Sequence, residues 1–389
     1  MHPPPTTHHS ILTHHHRAQS NGHLRRQHYI VKEINMMSSL LLSLLLLSTA
    51  TIRSFSPTAV LKWSRNNHVD LGVAAPDELF VPENQEGMNG DMGNIMRDMA
   101  TEERNLRFAG IGRLYAKGAT PSPGSSATAP SYLEVIDRLS QSTVVVVGLG
   151  GVGSWAAEAL CRSGIGNLVL IDLDDICISN TNRQLHATST TVGRLKIDEM
   201  KRRLIEINPQ CNITLIHDFV TADNVYDILE NQCGNSTTAL LDAMDGTKEK
   251  TALLAACVNL SIPIVTIGAA AGRMDPTKIV VDDLIHVEND RLLATCRKNL
   301  RKFHGFERGL KLSEKAKVSM KKREWKIPTV FSTEVPPPVC NDDSSSFRRC
   351  DGPMGTACFV TGSYGFVAAS LVVEMIATGN LLAPKQQHK

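Results

Sequence analysis

Two cationic side chains, Arg183 and Lys196, begin and end the stretch RQLHATSTTVGRLK, which follows a predicted strand. Arginine offers a forked set of donors, and lysine offers a compact point charge. Two fixed cations suit a triphosphate that is attacked at its α-phosphate, because negative charge builds on the phosphoryl oxygens and on the departing pyrophosphate. A nicotinamide hydride transfer makes no such demand. The alternative is an arginine in a surface loop and a solvated lysine at a helix start.

A glycine-rich turn precedes these cations. The sequence VVVVGLGGVGS places Gly148, Gly150 and Gly153 in G-x-G-x-x-G spacing between a predicted strand and a predicted helix. Such glycines permit a tight turn, a close approach of phosphate and close packing of helix on strand. Asp172 ends the next strand, where a carboxylate accepts hydrogen bonds from the ribose of NAD or of ATP. The pattern indicates nucleotide binding without specifying the nucleotide.

Two more acids, Asp242 and Asp245, come at the end of the fourth predicted strand in DAMDGTKEK. A carboxylate there could hold Mg²⁺, which proteins bind through one or two carboxylates plus substrate phosphates. A second interpretation makes Asp245 the N-cap of the following helix. Asp174 and Asp175, just after Asp172, are open to a comparable alternative, a solvated turn.

The middle of the chain alternates apolar β-branched runs with helical patterns. The predicted parallel strands are STVVVVG, NLVLID, NITLIH, TTALLD and IPIVTIG. This alternation predicts the α/β class, with a doubly wound, mostly parallel, Rossmann-like sheet. TKIVVDDL and PTVFSTEV are predicted as further strands. GSYGFVAASLVVEMIATG is predicted as an apolar helix that packs on the sheet, because it is short for a membrane span.

The domain organisation follows from composition. Residues 1–100 are predicted to be a targeting or disordered extension, and residues 101–389 a single folded domain. Within that domain we expect a nucleotide-binding core at about 140–270, a basic insertion at about 290–327, and C-terminal strands and a helix at about 328–380.

The extension contains an apolar run from Leu40 to about Ile52, with basic residues upstream. It is shorter than the ~20 residues of a membrane-spanning helix and resembles the hydrophobic part of a signal peptide. A signal anchor and a mitochondrial presequence are the alternatives. If the segment is used, we expect a plastid, mitochondrial or membrane-associated protein, and otherwise a cytoplasmic one.

Charge and cysteines narrow the function class. The formal net charge is only +2, yet residues 297–326 hold twelve Lys or Arg and three Glu. Such a segment favours an RNA partner, because phosphate contacts dominate nucleic-acid affinity, although a solvated pair of charged helices is the alternative. The nine cysteines contain no C-x-x-C pair, so no zinc is expected, and they are predicted to be buried thiols.

The motifs together carry a family resemblance. GLGGVGSWAAEALCRSGIGNLVLIDLDDICISNTNRQLHATSTTVGRLK resembles the ThiF/MoeB/ubiquitin-activating superfamily of adenylating enzymes. RFAGIGRLY, PIVTIGAAAGRMDPTKI, VFSTE and GSYGFVAAS extend the resemblance to the tRNA threonylcarbamoyladenosine dehydratases, over about residues 107–377. The resemblance implies ATP and Mg²⁺ as cofactors, tRNA as the partner and a homodimer.

The resemblance also implies roles for individual residues. Arg183 and Lys196 would hold the phosphates and the leaving pyrophosphate, and Asp245 would hold Mg²⁺. Arg113 would reach into the ATP site of the second subunit. The other implied ATP contacts are Gly148, Gly150, Gly151, Gly153, Asp172, Asp174, Asn182 and Gln184.

The implied reaction is ATP-dependent dehydration of N6-threonylcarbamoyladenosine beside the tRNA anticodon. The threonyl carboxylate would be adenylated, and a carbamoyl nitrogen would then expel AMP and close a five-membered ring. Some relatives carry a cysteine just before VFSTE, where this chain has Pro328 and Thr329, so the resemblance gives no thioester role here. The linker TPSPGSSATAP looks inserted and bears on how Arg113 reaches its partner. A sulfur-relay protein and a membrane are further candidate partners.

Three other functions are consistent with part of this sequence pattern. An enzyme that adenylates the C-terminus of a sulfur-carrier or ubiquitin-like protein would have the same nucleotide site. Many such relatives carry paired zinc cysteines and a catalytic cysteine, which this sequence lacks in those places. A non-catalytic nucleotide-binding scaffold is disfavoured by the retained cations and carboxylates, and a dehydrogenase rests on the glycine turn alone.

Overall fold

The seven strands of the central sheet are β1 (Thr143–Val147), β2 (Asn167–Ile171), β3 (Asn212–Ile216), β4 (Thr237–Asp242), β5 (Ile264–Ile267), β6 (Ile279–Asp283) and β7 (Pro328–Ser332). Their spatial order is β3-β2-β1-β4-β5-β7-β6. Every neighbouring pair is parallel except β6 and β7, which are antiparallel. The predicted doubly wound, mostly parallel α/β fold is confirmed. The strand order reverses between β1 and β4, where open α/β sheets bind ligands.

The computed structural model describes residues 89–118, 130–234, 236–307, 324–335, 355–382 and 384. All of them belong to one compact unit, residues 84–389, and the other unit, residues 1–83, lies outside the described residues. The apolar run near Leu40, the linker and the middle of the basic segment also lie outside them. The predictions made for those segments therefore stay predictions.

The helices are α1 (Asn89–Gly118), α2 (Tyr132–Gln141), α3 (Gly153–Arg162), α4 (Lys196–Ile207), α5 (Thr247–Asn259), α6 (Arg291–Phe303) and α7 (Cys358–Thr378). One apolar core contains buried side chains of α2, α3, α4 and α7, and a second contains those of α5 and α6. The helix α1 begins twelve residues before the predicted start of the folded domain at Thr101. Helices on both sides of the sheet explain why all five residues of β1 are buried.

The local sequence accounts for the helix starts and faces. Ser131 and Glu134 form a capping box at the start of α2, which satisfies two backbone N–H groups reciprocally. In α4 the apolar residues Ile197, Met200 and Leu204 recur at helical spacing and are buried.

Of the helices that the structure describes, α7 alone is long and apolar enough to cross a membrane by length and composition. It contacts α3 extensively and also lies against β4 and β5. Within its most apolar window, 61% is buried inside the protein. This packing agrees with the position that the sequence predicted for the helix.

A buried ion pair fixes the carboxyl end of β4. The Nζ atom of Lys250, in α5, lies 2.7 Å from Oδ2 of Asp242, and both side chains are fully buried. Thr266 of β5 donates its hydroxyl to the same oxygen at 2.7 Å. The pair therefore joins β4, α5 and β5 at the edge of the sheet where ligands bind.

Removing the lysine should cost much stability. In Lys250→Ala the Asp242 carboxylate keeps its burial and loses its counter-charge, so we expect the free energy of unfolding to fall by about 3–5 kcal/mol. Urea unfolding followed by circular dichroism measures this change. The matched control is Lys248→Ala, two residues away and exposed, which should change stability by less than about 0.5 kcal/mol. Equal losses in the two variants would contradict the assignment.

Candidate active site

The glycine turn lies between β1 and α3 and is fixed by packing at its two ends. Gly148 has φ +86°, in the left-handed region that favours glycine. A Cβ on Gly153 would lie 1.8 Å from the carbonyl oxygen of Gly148, so only glycine fits there. A Cβ on Gly150 would meet no atom within 4 Å. Packing therefore does not require glycine at Gly150, whose surroundings leave room for a ligand.

The peptide of Leu149, inside this turn, is hydrogen-bonded on both sides. Its N–H donates to Oδ2 of Asp172 at 2.6 Å, and its carbonyl oxygen lies 3.0 Å from Nε2 of His186. The other carboxylate oxygen of Asp172 accepts the backbone N–H of Asp174 at 2.8 Å. Asp172 thus joins the end of β2 to the glycine turn at the end of β1.

Burial shifts the pKa values of His186 and Asp172. It lowers the pKa of His186 to about 4, so the imidazole is neutral near pH 7 and donates from Nε2 to Leu149. Burial also raises the pKa of Asp172, against the opposing effects of Lys196 and of two backbone N–H groups. We call these two contacts of the Leu149 backbone the Leu149 clamp. It consists of the neutral donor His186 and of the acid Asp172, which Lys196 helps to keep ionised.

Lys196 is buried at the start of α4, so the alternative of a solvated lysine is wrong. Its side chain is 7% exposed, and its Nζ lies 2.6 Å from Oδ2 of Asp174, whose side chain is 54% exposed. The ammonium group thus lies inside the site, and its carboxylate partner lies at the rim. Because Asp174 is exposed, it can move aside while another anion takes its place beside the buried ammonium group.

Arg183 is also buried, so the alternative of a surface-loop arginine is wrong as well. Its Nη1 donates to the carbonyl of Ser179 at 2.9 Å and to Oδ1 of Asn182 at 3.0 Å. The amide of Asn182 donates in turn to the carbonyl of Thr356 at 3.0 Å, just before α7. The neighbouring Gln184 is buried, and its Oε1 has no hydrogen-bond partner among the described residues.

The acids after β4 have separate environments. Asp242 is held by Lys250 and is therefore not a candidate Mg²⁺ ligand, because the ion pair uses its charge. Asp245 is exposed. The N-cap of α5 is Gly246, so the prediction that Asp245 caps this helix is wrong. Asp245 is left as the acid of this loop that could meet a bound cation.

The remaining predicted groups lie elsewhere. Arg113 is exposed on α1, and its reach into a second subunit stays a prediction. Among the seven described cysteines, five are buried, Cys177 is partly buried, and Cys358 is exposed. Burial raises the pKa of Cys296 to about 11 and that of Cys233 to about 12, so neither is a thiolate at neutral pH.

Two residues of the site are not predictable from sequence patterns. His186, between a leucine and an alanine, belongs to no motif, and its position two residues after Gln184 is the one available signal. Lys250 lies among lysines and glutamates that look like a solvated helix start, and only the contact with Asp242 distinguishes it from Lys248.

The model of the ThiF family matches residues 127–377. The chain belongs to the ThiF family. The tRNA threonylcarbamoyladenosine dehydratase of Haemophilus influenzae is 40% identical over 273 residues, which cover 69% of this chain and 93% of that protein. The dehydratase of Escherichia coli K12 is 38% identical over 274 residues, which cover 68% of this chain and 91% of that protein.

A solved structure agrees with these sequence relatives. The crystal structure of E. coli tRNA N6-threonylcarbamoyladenosine dehydratase, TcdA, in complex with ATP is similar to this chain with a TM-score of 0.56. The two are 36% identical, and the match covers 71% of this chain and 96% of TcdA. The predicted resemblance to adenylating enzymes, and to the dehydratases among them, is thus confirmed.

The burial of His186 makes stability depend on pH. The unfolded chain takes up a proton on this imidazole near pH 6.5, whereas the folded chain does so only near pH 4. The free energy of unfolding should therefore fall by roughly 3 kcal/mol as the pH drops through that interval. Urea unfolding at several pH values measures the slope. His186→Gln should flatten it, while His217→Gln, which removes an exposed imidazole, serves as the control. Identical slopes in wild type and His186→Gln would rule out the assignment.

The open space at Gly150 separates a binding role from a packing role. Gly150→Ala should melt within about 2 °C of the wild type, because its Cβ meets no neighbour. It should nevertheless weaken ATP binding by about tenfold or more, since the methyl group occupies the approach of the phosphates. Gly153→Ala should destabilise the fold itself. Differential scanning calorimetry and ATP titration measure the two effects, and wild-type ATP affinity in Gly150→Ala would contradict the phosphate role.

Proposed function

We propose that this protein catalyses the ATP-dependent dehydration of N6-threonylcarbamoyladenosine in tRNA, next to the anticodon. The observation that carries the proposal is the extent of the similarity. It spans 93% of the H. influenzae dehydratase and 96% of TcdA, so it is not limited to the nucleotide-binding half of those proteins. The proposed nucleotide is ATP, which one TcdA structure contains.

In this proposal the phosphates of ATP bind over the glycine turn and beside the two buried cations. The open space at Gly150 and the positive end of the α3 helix dipole favour an anion there. Lys196 would exchange its exposed partner Asp174 for a phosphate oxygen. Arg183, which Asn182 and the Ser179 carbonyl hold in place, would then contact the phosphates in a fixed orientation.

Three polar residues near the glycine turn are the proposed contacts of the rest of the nucleotide. Each oxygen of the Asp172 carboxylate accepts one backbone N–H, and a carboxylate has about four acceptor positions in all. Lone pairs therefore remain for ribose hydroxyls. The unpartnered Oε1 of the buried Gln184 and the exposed Asn182 are the further proposed contacts of the nucleotide.

The chemistry needs an activated carboxyl group and close approach. The threonyl carboxylate attacks the α-phosphorus, and the bond to the departing pyrophosphate breaks. Arg183 and Lys196 stabilise the charge that gathers on the phosphate oxygens and on the leaving group. The N6 nitrogen of the carbamoyl group then attacks the carboxyl carbon, loses its proton and releases AMP. The second step is intramolecular, so proximity accelerates it.

The residues present fit a magnesium ion that is bound largely by the nucleotide. No cluster of three or more His, Cys, Asp or Glu that could hold a metal occurs in the part of the chain that the structure describes. One exposed carboxylate, Asp245, lies after β4. Such a single carboxylate suits Mg²⁺, which keeps waters and takes its other ligands from phosphates. When bound, the ion would neutralise charge on the phosphates during the attack.

Further parts of the proposal rest on the resemblance alone. They are a homodimer in which Arg113 completes the second subunit's site, and a sulfur-relay protein as an additional partner. The extension at residues 1–100, with membrane or organellar targeting through its apolar run, is proposed from the sequence pattern of that segment itself. The domain limits given above, with the core at about 140–270 and the basic insertion at about 290–327, are retained as proposals.

The test uses the full chain, ATP and tRNA with or without the threonylcarbamoyl group. We expect AMP, pyrophosphate and a tRNA nucleoside lighter by one water, and only with the modified tRNA. Arg183→Gln should lower turnover by about 10²-fold or more while melting like the wild type. Arg162→Gln, an exposed arginine of α3, is the matched control. ATP consumption that requires a small protein with a C-terminal glycine, instead of tRNA, would show that the proposal is wrong.

A further inference from the structure

Helix α6 carries an excess of positive charge on the face of the sheet that it shares with α5. Its sequence RLLATCRKNLRKF contains five Arg or Lys and no acidic residue. Leu293, Cys296 and Leu300 are buried against the core. On the opposite side of the helix, Arg291, Lys298 and Lys302 are exposed. The helix is therefore amphipathic, and every charged residue on its polar side is basic.

Four arginines on the other face of the sheet form ion pairs with glutamates. Glu158 of α3 binds two arginines, and Glu199 of α4 binds two more. Among the described residues, no ion pair involves Arg291, Lys298 or Lys302. The pKa of Arg297 is lowered mainly by burial and secondly by the nearby charge of Arg301, while Asp290 and Glu288 act in the opposite direction. The three exposed cations Arg291, Lys298 and Lys302 are therefore accessible to an external anion.

An aromatic side chain lies at the end of this basic surface. Phe303 is 64% exposed, and Nζ of Lys302 lies 4.8 Å from the centre of its ring. Arg301 stacks in turn over the ring of Trp325, at 5.3 Å from its centroid. A basic surface that contains an exposed aromatic ring is typical of proteins that bind unpaired nucleotides, because the ring stacks on a base while the cations meet phosphates.

The start of α6 lies at the carboxyl edge of the sheet, where the candidate active site is found. The side chain of Asp290, its N-cap, accepts the backbone N–H of Ala269, which follows β5. The helix then runs for thirteen residues, about 18 Å at 1.5 Å per residue. A small substrate would not reach the end of α6 from the active site, whereas an RNA hairpin is long enough to contact both.

We propose that the exposed side of α6, formed by Arg291, Lys298, Lys302 and Phe303, is the surface on which the anticodon arm of tRNA docks. This α6 basic face would bind the phosphates of the arm through its cations and stack an unpaired base on Phe303. The inference rests on the proposed function for the identity of the RNA. It adds the place at which the enzyme holds the substrate outside the active site.

The experiment compares two variants that remove equal charge from opposite faces of the sheet. Lys298→Gln/Lys302→Gln alters the α6 basic face, and Arg162→Gln/Lys201→Gln alters α3 and α4. For each protein we would measure the KM for threonylcarbamoyl-modified tRNA, the kcat at saturating tRNA, and the dependence of both on salt. The affinity for the same tRNA is measured separately, by fluorescence anisotropy without ATP.

The α6 variant should raise the KM for tRNA by about tenfold and leave kcat unchanged, because the lost contacts act in binding and not in the chemical step. The slope of log KM against log salt should fall by about 1.5, which corresponds to two phosphate contacts at roughly 0.7–0.9 each. The variant on α3 and α4 should stay within about twofold of the wild type. Phe303→Leu should raise KM without changing the salt slope, since stacking releases no counter-ions.

Equal effects in the two double variants would overturn the proposal, as would a salt slope that α6 does not influence. An α6 variant that loses binding to phosphatidylserine vesicles but keeps its tRNA affinity would assign the face to a membrane instead. The proposed reaction can fail independently. If the wild type does not turn over the tRNA, a selective loss of tRNA affinity in the α6 variant would still support the docking surface.

Discussion

The nucleotide site depends on the backbone of Leu149, whose N–H and carbonyl are both hydrogen-bonded to side chains. Asp172 accepts its N–H, and the neutral imidazole of His186 donates to its carbonyl. These two bonds join the turn after β1 to the end of β2 and to the segment that contains Arg183. The positions of the glycine backbone and of the arginine are therefore set by the same contact, before any ligand binds. Such preorganisation reduces the rearrangement that binding and catalysis require.

Two ion pairs near this site contain a buried lysine, and they differ in the burial of the acid. Lys250 and Asp242 neutralise each other completely inside the protein and hold the end of β4. Lys196, in contrast, is buried while its partner Asp174 is exposed. The first pair has a structural function, since neither member can reach a ligand. The second leaves a cation that can meet a phosphate once its exposed partner moves aside. A buried lysine paired with an aspartate can thus either stabilise the fold or bind a ligand. The burial of the aspartate determines which of the two functions it has.

The sequence predicts the fold well because the alternation of strands and helices is strong and the central strand β1 is a nearly continuous run of valines. It also identifies Gly148, Asp172 and Arg183, whose positions relative to the strands are typical of nucleotide-binding sheets. It does not predict that Lys196 is buried, or that Asp242 is neutralised, because both depend on tertiary contacts that residue types alone do not reveal. Asp174 lies 22 positions before Lys196, and Lys250 of α5 contacts Asp242, eight positions before it at the end of β4. His186 was missed for the same reason, since its partner is a backbone carbonyl 37 positions away.

In the proposed reaction, the threonyl carboxylate of the modified tRNA attacks the α-phosphate of ATP. An oxygen-labelling experiment tests this step directly. A tRNA that carries ¹⁸O in the threonyl carboxylate is incubated with the enzyme and unlabelled ATP, and the products are analysed by mass spectrometry. The account predicts pyrophosphate and AMP that contains one ¹⁸O atom, because the ring-closing step leaves a carboxylate oxygen on the phosphate. Formation of ADP and phosphate, or AMP without the label, would contradict it.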